Sequence, residues 1–443
     1  MEVDLSRHYG RRGLVKVVIP SVLMMLVTSI YSIVDGLFVS NYAGTTPFAA
    51  INLIWPGIMF VGALGIMIGT GGTALVAKTK GEGDDDHANR IFSMLVKVTV
   101  VGGLVLSVLL FVLMRPLARL LGADGVLEDE CVRYGRILAV SFMPFLVQLV
   151  FQTFFMAAEK PELGTKVTIV SGLINMVLDY VFIALLGWGI VGAAAATAIA
   201  QIAGGAYPLY YFSSKRNDSS LRLVPCHVEW RNLGVACLNG SSEYVGNIAF
   251  SVVNMCYNLQ LVNHMGENGV AAYGVLMYVA YIFAAIFFGY NIGVSPIISY
   301  HYGAGNKAEL HSLLTKSLQI VAALGVLLTL TAELTGRFTS AIFVHYDKEL
   351  LELTVRAYRI YMISFALCGM NLFVSAFFTA LNNGVVSAIA AFTRTLIFEV
   401  GAVFLLPALW GIDVIWWSVV LADVMAFILS ICLLKGFRKR YGY

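Results

Sequence analysis

The stretch SIYSIVDGLFVS (residues 29–40) holds one carboxylate, Asp35, inside an apolar run that reaches from about Leu14 to Ser40. Ionising an acid in such surroundings costs a few kcal/mol, so an acid placed there is expected to have a use for its charge. Other ionisable groups recur in apolar runs: Lys97, Glu243, Arg394, Glu399 and Asp423. Arg394 and Glu399 share one run and can neutralise each other or a neighbour. Asp423 has no matched partner and reads as packing polarity. Nothing here forms a reactive set. The seven histidines show neither metal nor triad spacing, and the six cysteines lie apart without a CxxC pair, as small packing residues do. The glycines at 69–72 sit inside an apolar run, where close helix packing explains them better than a phosphate loop.

The elements that position these groups follow from composition. Hydrophobic residues make up 59% of the 443 and charged ones 12%, with a mean hydropathy of +0.82. A soluble domain carries about 25% charged residues. The expected fold is therefore an all-α integral membrane protein. A net charge of +3 is too weak to imply a nucleic-acid partner. The first long apolar run outlasts an h-region and lacks a small-residue cleavage site, so no cleavable signal peptide is expected.

A crossing helix needs about 20 mainly apolar residues. Twelve such spans are expected, near 14–40, 48–77, 91–113, 133–157, 164–186, 191–212, 233–263, 269–300, 311–332, 354–381, 385–407 and 412–434. With both termini cytoplasmic, nineteen Lys and Arg flank the spans inside and eight outside; Lys97 and Arg394, within spans, complete the 29. That asymmetry predicts cytoplasmic termini.

The two halves repeat in one register. Gly71, Gly81 and Gly83 fall on Gly293, Gly303 and Gly305, Gly44 on Gly266, and WGI (188–190) on WGI (410–412), all 222 positions apart. Near residue 155 the offset becomes 223, where FF (154–155) meets FF (377–378). Two six-helix lobes are expected, 1–212 and 233–443, joined by a cytoplasmic linker, 213–232. Because six is even, the repeat is parallel. Two similar bundles facing each other suit a transporter, whose central site opens to either side as one lobe rocks.

The chain resembles the multidrug and toxic compound extrusion (MATE) transporters along essentially its whole length. The resemblance rests on Pro20 with SIVDGLFV in span one, G-x9-G-x-G after spans two and eight, AAEKP (157–161), and LINMVLDYVFI (173–183). It implies two six-helix lobes around a central cavity and export of organic, often cationic, compounds in exchange for H+ or Na+, with no cofactor. It also implies a cation-coupling site in the N-terminal lobe at Asp35, Asn175, Asp179 and Thr197, and a hinge at Pro20. Asn175 and Asp179 are i,i+4 neighbours on one helix face. Two carboxylates, an amide and a hydroxyl suit a hard cation such as Na+. Two acids held close would instead keep a proton between them. The Asn-x3-Asp pair favours the DinF- or MepA-like branches.

Some family members carry a further acid in span ten, where this chain has Asn371, so a second ion site in the C-terminal lobe is in doubt. Glu243 in span seven is then a lone carboxylate able to attract a cationic substrate, or a polar residue bonding Ser241 or a neighbouring helix. Gln148, Gln152, Asn258 and Tyr281 are further candidates for the substrate cavity. The expected partners are small amphipathic substrates and membrane lipids. The expected setting is a monomer in the bacterial cytoplasmic membrane. The alternative, a flippase for a lipid-linked saccharide, would need several cations in the cavity for phosphate, and only Arg394 and Lys97 lie at depth.

Overall fold

The computed structural model describes residues 3–345 and 347–443, which form fourteen helices with no strand among them. In lipid every backbone group must be satisfied within its own segment, so long apolar runs have no alternative to the helix. The N-terminal half comprises α1 (Arg11–Phe38), α2 (Thr45–Gly81), α3 (Asp85–Leu120), α4 (Gly125–Val140), α5 (Phe142–Ala157), α6 (Pro161–Asp179) and α7 (Gly189–Ser213). The C-terminal half comprises α8 (Trp230–Gly303), α9 (Lys307–Val344), α10 (Lys348–Met362), α11 (Phe365–Ala380), α12 (Gly384–Phe392), α13 (Val400–Trp410) and α14 (Ser418–Tyr441). Three π-helical turns interrupt the spans, at Val39–Ala43, Tyr180–Leu185 and Thr393–Glu399.

Among the described residues nine helices are long and apolar enough to cross a membrane, or eleven if α4–α5 and α10–α11 each form one bent span. The 74-residue α8 holds two crossings joined at Gly266, whose φ of 62° only glycine adopts cheaply. The protein is thus a multi-pass membrane protein with the twelve crossings of a two-lobe fold. Helices overrun the expected spans: α3 covers Asp85–Leu120 where 91–113 was apolar. The excess is polar at the N-terminal end, Asp85–Arg90, and carries Arg115 and Arg119 at the other. Spans four and ten, expected as single helices, are bent by 62° and 44°.

The internal repeat is visible in the backbone. Glu159 and Asn382, 223 positions apart, are the two non-glycine residues with positive φ among those described (63° and 55°). Asp84 caps α3 and Asn306 caps α9, 222 apart. Cross-lobe contacts obey the same offset. A Cβ on Gly81 would land on the Tyr300 carbonyl, and one on Gly303 on the Lys78 carbonyl. Likewise Gly71 abuts Gly240 while Gly293 abuts Val18. These obstacles are mostly backbone, which cannot swing aside, so glycine is what lets the lobes approach.

Such contacts gather on the side that holds both termini and the 213–232 linker. There the segment before α1 spans the two lobes. Leu5 N–H donates to Glu159 Oε1 (2.9 Å), Lys316 Nζ donates to the Tyr9 carbonyl (2.6 Å), and His8 meets Glu309 at 2.9 Å. Leu5 and Tyr9 are buried.

Candidate functional site

Asp35 lies near the end of α1, Asn175 and Asp179 on the last turns of α6, and Thr197 on α7. The structure brings the four together inside the N-terminal half. Asn175 Nδ2 donates to Thr197 Oγ1 at 3.4 Å. The Asp35 and Asp179 carboxylates face each other closely enough to interact. Asp179 is 0% exposed and Asn175 3%. Both oxygens of Asp179, Oδ1 of Asn175 and Oδ1 of Asp35 are buried without a hydrogen-bond donor. Buried acceptors are normally satisfied, and each one left bare costs about 1–3 kcal/mol. Four such acceptors on neighbouring turns form a cradle whose donor types suit a proton or a hard cation.

The backbone is unusual at the same places. The Asp35 carbonyl accepts from Val39 N–H, where the first π-helical turn begins, and Asp179 directly precedes the second. A π turn inserts a residue into the helix and is frequent at functional sites. Two residues not signalled by the sequence join the cluster. Tyr134 of α4, 1% exposed, lies near both carboxylates. Tyr31 packs on Gly172 and approaches both Asp35 and Tyr281. Nothing in the pattern of α4 marks Tyr134, because its neighbours Cys131 and Leu138 are ordinary core.

Pro20 lies within α1, and its carbonyl accepts a 2.7 Å hydrogen bond from Thr165 of α6. Gln148 and Gln152 line a small pocket inside the N-terminal half with Met24, Thr168, Gly204 and Pro208. Tyr281, 46% exposed, stands opposite Tyr31, and Asn258 is half-buried on α8. Glu243 is half-buried and its carboxylate has no hydrogen bond among the described residues. The expected bond to Ser241 is absent, because that hydroxyl donates to the Leu238 carbonyl at 2.7 Å.

The C-terminal half corrects one reading. Asp423, expected to lack a partner, takes Arg394 Nε at 2.7 Å and Asn371 Nδ2 at 3.0 Å. Arg394 therefore turns to α14, not chiefly to Glu399 in its own span. The pair is built across helices, which spacing along one helix cannot disclose. Asn371 supplies an amide that holds Asp423.

Known proteins share this fold. A family model, MatE, matches residues 20–181 and again 244–404. Multidrug export protein MepA of Staphylococcus haemolyticus is 23% identical over 423 residues, 95% of this chain and 92% of the relative. The protein of that name from Staphylococcus aureus is 22% identical over 431 residues, covering 95% and 93%. A solved MATE structure in the straight conformation superposes with a TM-score of 0.92 at 20% identity, covering 98% of this chain and 97% of its own. A MOP superfamily transporter from Pyrococcus furiosus superposes with 0.89 at 21%, again covering 98% and 97%.

Proposed function

The chain belongs to the MatE family of transporters, not enzymes, and from that premise we propose that it exports small organic, cationic compounds by antiport against H+ or Na+. The multidrug export named for its relatives is carried over here. The observation that supports it most is the cradle of unpartnered acceptors at Asp35, Asn175 and Asp179, with Thr197 beside it. In this reading a cation entering from outside occupies the cradle, repacks α1 about Pro20, and lowers affinity for bound drug. Drug binding then weakens cation binding by the same factor. The lobes, 1–212 and 233–443, rock about the 213–232 linker in a monomer in the bacterial cytoplasmic membrane. With cytoplasmic termini, the lobes touch on the cytoplasmic side, as an outward-open state requires. A saccharide-lipid flippase is less well supported, because Asp423 neutralises Arg394.

Proteoliposomes loaded with buffer and exposed to a fluorescent organic cation test this under an imposed H+ or Na+ gradient. Uptake driven by neither gradient would sink antiport. Orientation has its own test. An impermeant thiol reagent added outside intact cells should label a cysteine at Thr46 but not one at Lys215; labelling at Lys215 reverses the topology. Asn217, in the same linker, is 6% exposed and unsuited to a probe.

Glu243 is proposed to attract the cationic substrate, since charge interactions strengthen away from water. Glu243→Gln should weaken transport of cationic compounds several-fold more than of neutral ones, leaving ion binding intact. Equal loss for both classes, or lost ion binding, would make it a coupling residue instead.

A further inference from the structure

Along the exposed side of α3, the inter-lobe linker forms a groove away from the Asp35–Asp179 cluster. Leu223–Cys226 runs beside Lys97, Val100 and Val101, lining an open groove of about 470 Å3. The linker is fastened to α3 by definite bonds. Arg222 N–H donates to Asn89 Oδ1 at 2.8 Å and Val224 N–H to Ser93 Oγ at 2.8 Å. One cation, Lys97, lines the groove; Arg222 is the linker residue just before the groove wall, held to Asn89 through its backbone, and Arg90 lies two turns before Lys97 on α3. None of the three has an ion-pair partner among the described residues, although eleven acid–base pairs are formed elsewhere.

Beyond Lys97 the same face of the helix is apolar. Val101, Leu104, Val105 and Val108 are 54%, 51%, 55% and 64% exposed. A cation in a groove that leads to an exposed apolar stripe is complementary to one molecule class, with an anionic head and an acyl tail. We infer that this groove is a binding site for an anionic phospholipid of the leaflet on the side of the chain termini. The phosphate lies at Lys97, and an acyl chain follows the stripe. Basic pockets at that depth are known to hold lipid head groups. A soluble phosphate would use Lys97 and leave the stripe bare. A cationic drug would be repelled by Lys97. Because the linker joins the lobes, a bound lipid sits where it can bias their motion.

Cys226, half-buried in the groove wall, reports occupancy, and exposed Cys432 serves as an internal reference. The full chain is placed in nanodiscs of phosphatidylcholine with increasing phosphatidylglycerol. N-ethylmaleimide alkylation at each cysteine is then followed by peptide mass spectrometry. Phosphatidylglycerol should slow Cys226 relative to Cys432. In Lys97→Gln the phosphatidylglycerol fraction giving half-protection should rise about fivefold, the value of one interfacial charge. Lys97→Arg, which keeps the charge, should behave as wild type and guards against a folding artefact. Equal rates in both lipids would overturn the site, as would protection unchanged in Lys97→Gln. Equal protection by inorganic phosphate in phosphatidylcholine discs would overturn the lipid assignment.

Discussion

Asp35→Asn is expected to remove ion-driven export, lowering gradient-dependent uptake of an organic cation on the order of 100-fold, the scale of a strong coupling energy between two sites. The substitution keeps the shape of the side chain. It breaks no hydrogen bond at Oδ1, which has no donor, so insertion and folding should persist. What it removes is the capacity to change charge. A carboxamide can neither take a proton nor help neutralise a sodium ion, and the two acids then cease to act as a pair. Asp179→Asn should act in the same direction. Its smaller expected effect reflects that Asn175 and Thr197 continue to hold its end of the cradle through their 3.4 Å bond. The test compares uptake with and without an imposed gradient for each variant, alongside thermal stability in detergent. Export by Asp35→Asn at the wild-type rate would end the N-terminal coupling assignment, whatever the stability.

That cluster of residues was legible in sequence because an acid in an apolar run is conspicuous and because the family resemblance named its three companions; its role in coupling rests on the proposal. The duplication was legible for a different reason. A repeat writes the same backbone demands twice, so Gly71 with Gly240 and Val18 with Gly293 occupy matching contacts. Features that depend on a neighbour across space stayed hidden. The 44° bend after α10 follows no proline or glycine at its joint, Ile363–Ser364, whereas the 62° bend after α4 has Pro144 in the next turn, whose missing N–H leaves the Val140 carbonyl without its helical bond. The π-helical turns likewise leave hydropathy unchanged, since an inserted residue alters register but not polarity. Tyr134 looks like core until α1 and α6 bring two carboxylates to it. The segment before α1 was read only as a positive flank. Its backbone bonds to Glu159 and Lys316 use atoms every residue possesses, so no residue type betrays them.

The largest stability effect is expected at the buried pair that sequence spacing could not assign. Arg394→Met should destabilise the protein by about 3–5 kcal/mol, because it strands Asp423 as an uncompensated charge. Asp423 is 1% exposed, and the one remaining side-chain donor to it is Asn371 Nδ2 at 3.0 Å. Removing both charges should be far milder. Hydrophobic replacement of a whole buried pair is often neutral or stabilising, since neither ion then pays for leaving water. The geometry favours that outcome here: Asn371 Nδ2 also donates to the Asp423 backbone carbonyl at 3.0 Å, which survives any side-chain change. The double variant Arg394→Met with Asp423→Leu should therefore unfold near the wild-type temperature, while each single variant unfolds earlier. It should also still export, since the pair neutralises itself and leaves no charge for substrate. A double variant as unstable as Arg394→Met alone would mean that the guanidinium works through another contact, such as its 3.3 Å approach to Cys368 Sγ. A stable double variant that no longer exports would instead place the pair in the transport path and reopen the case for an anionic substrate.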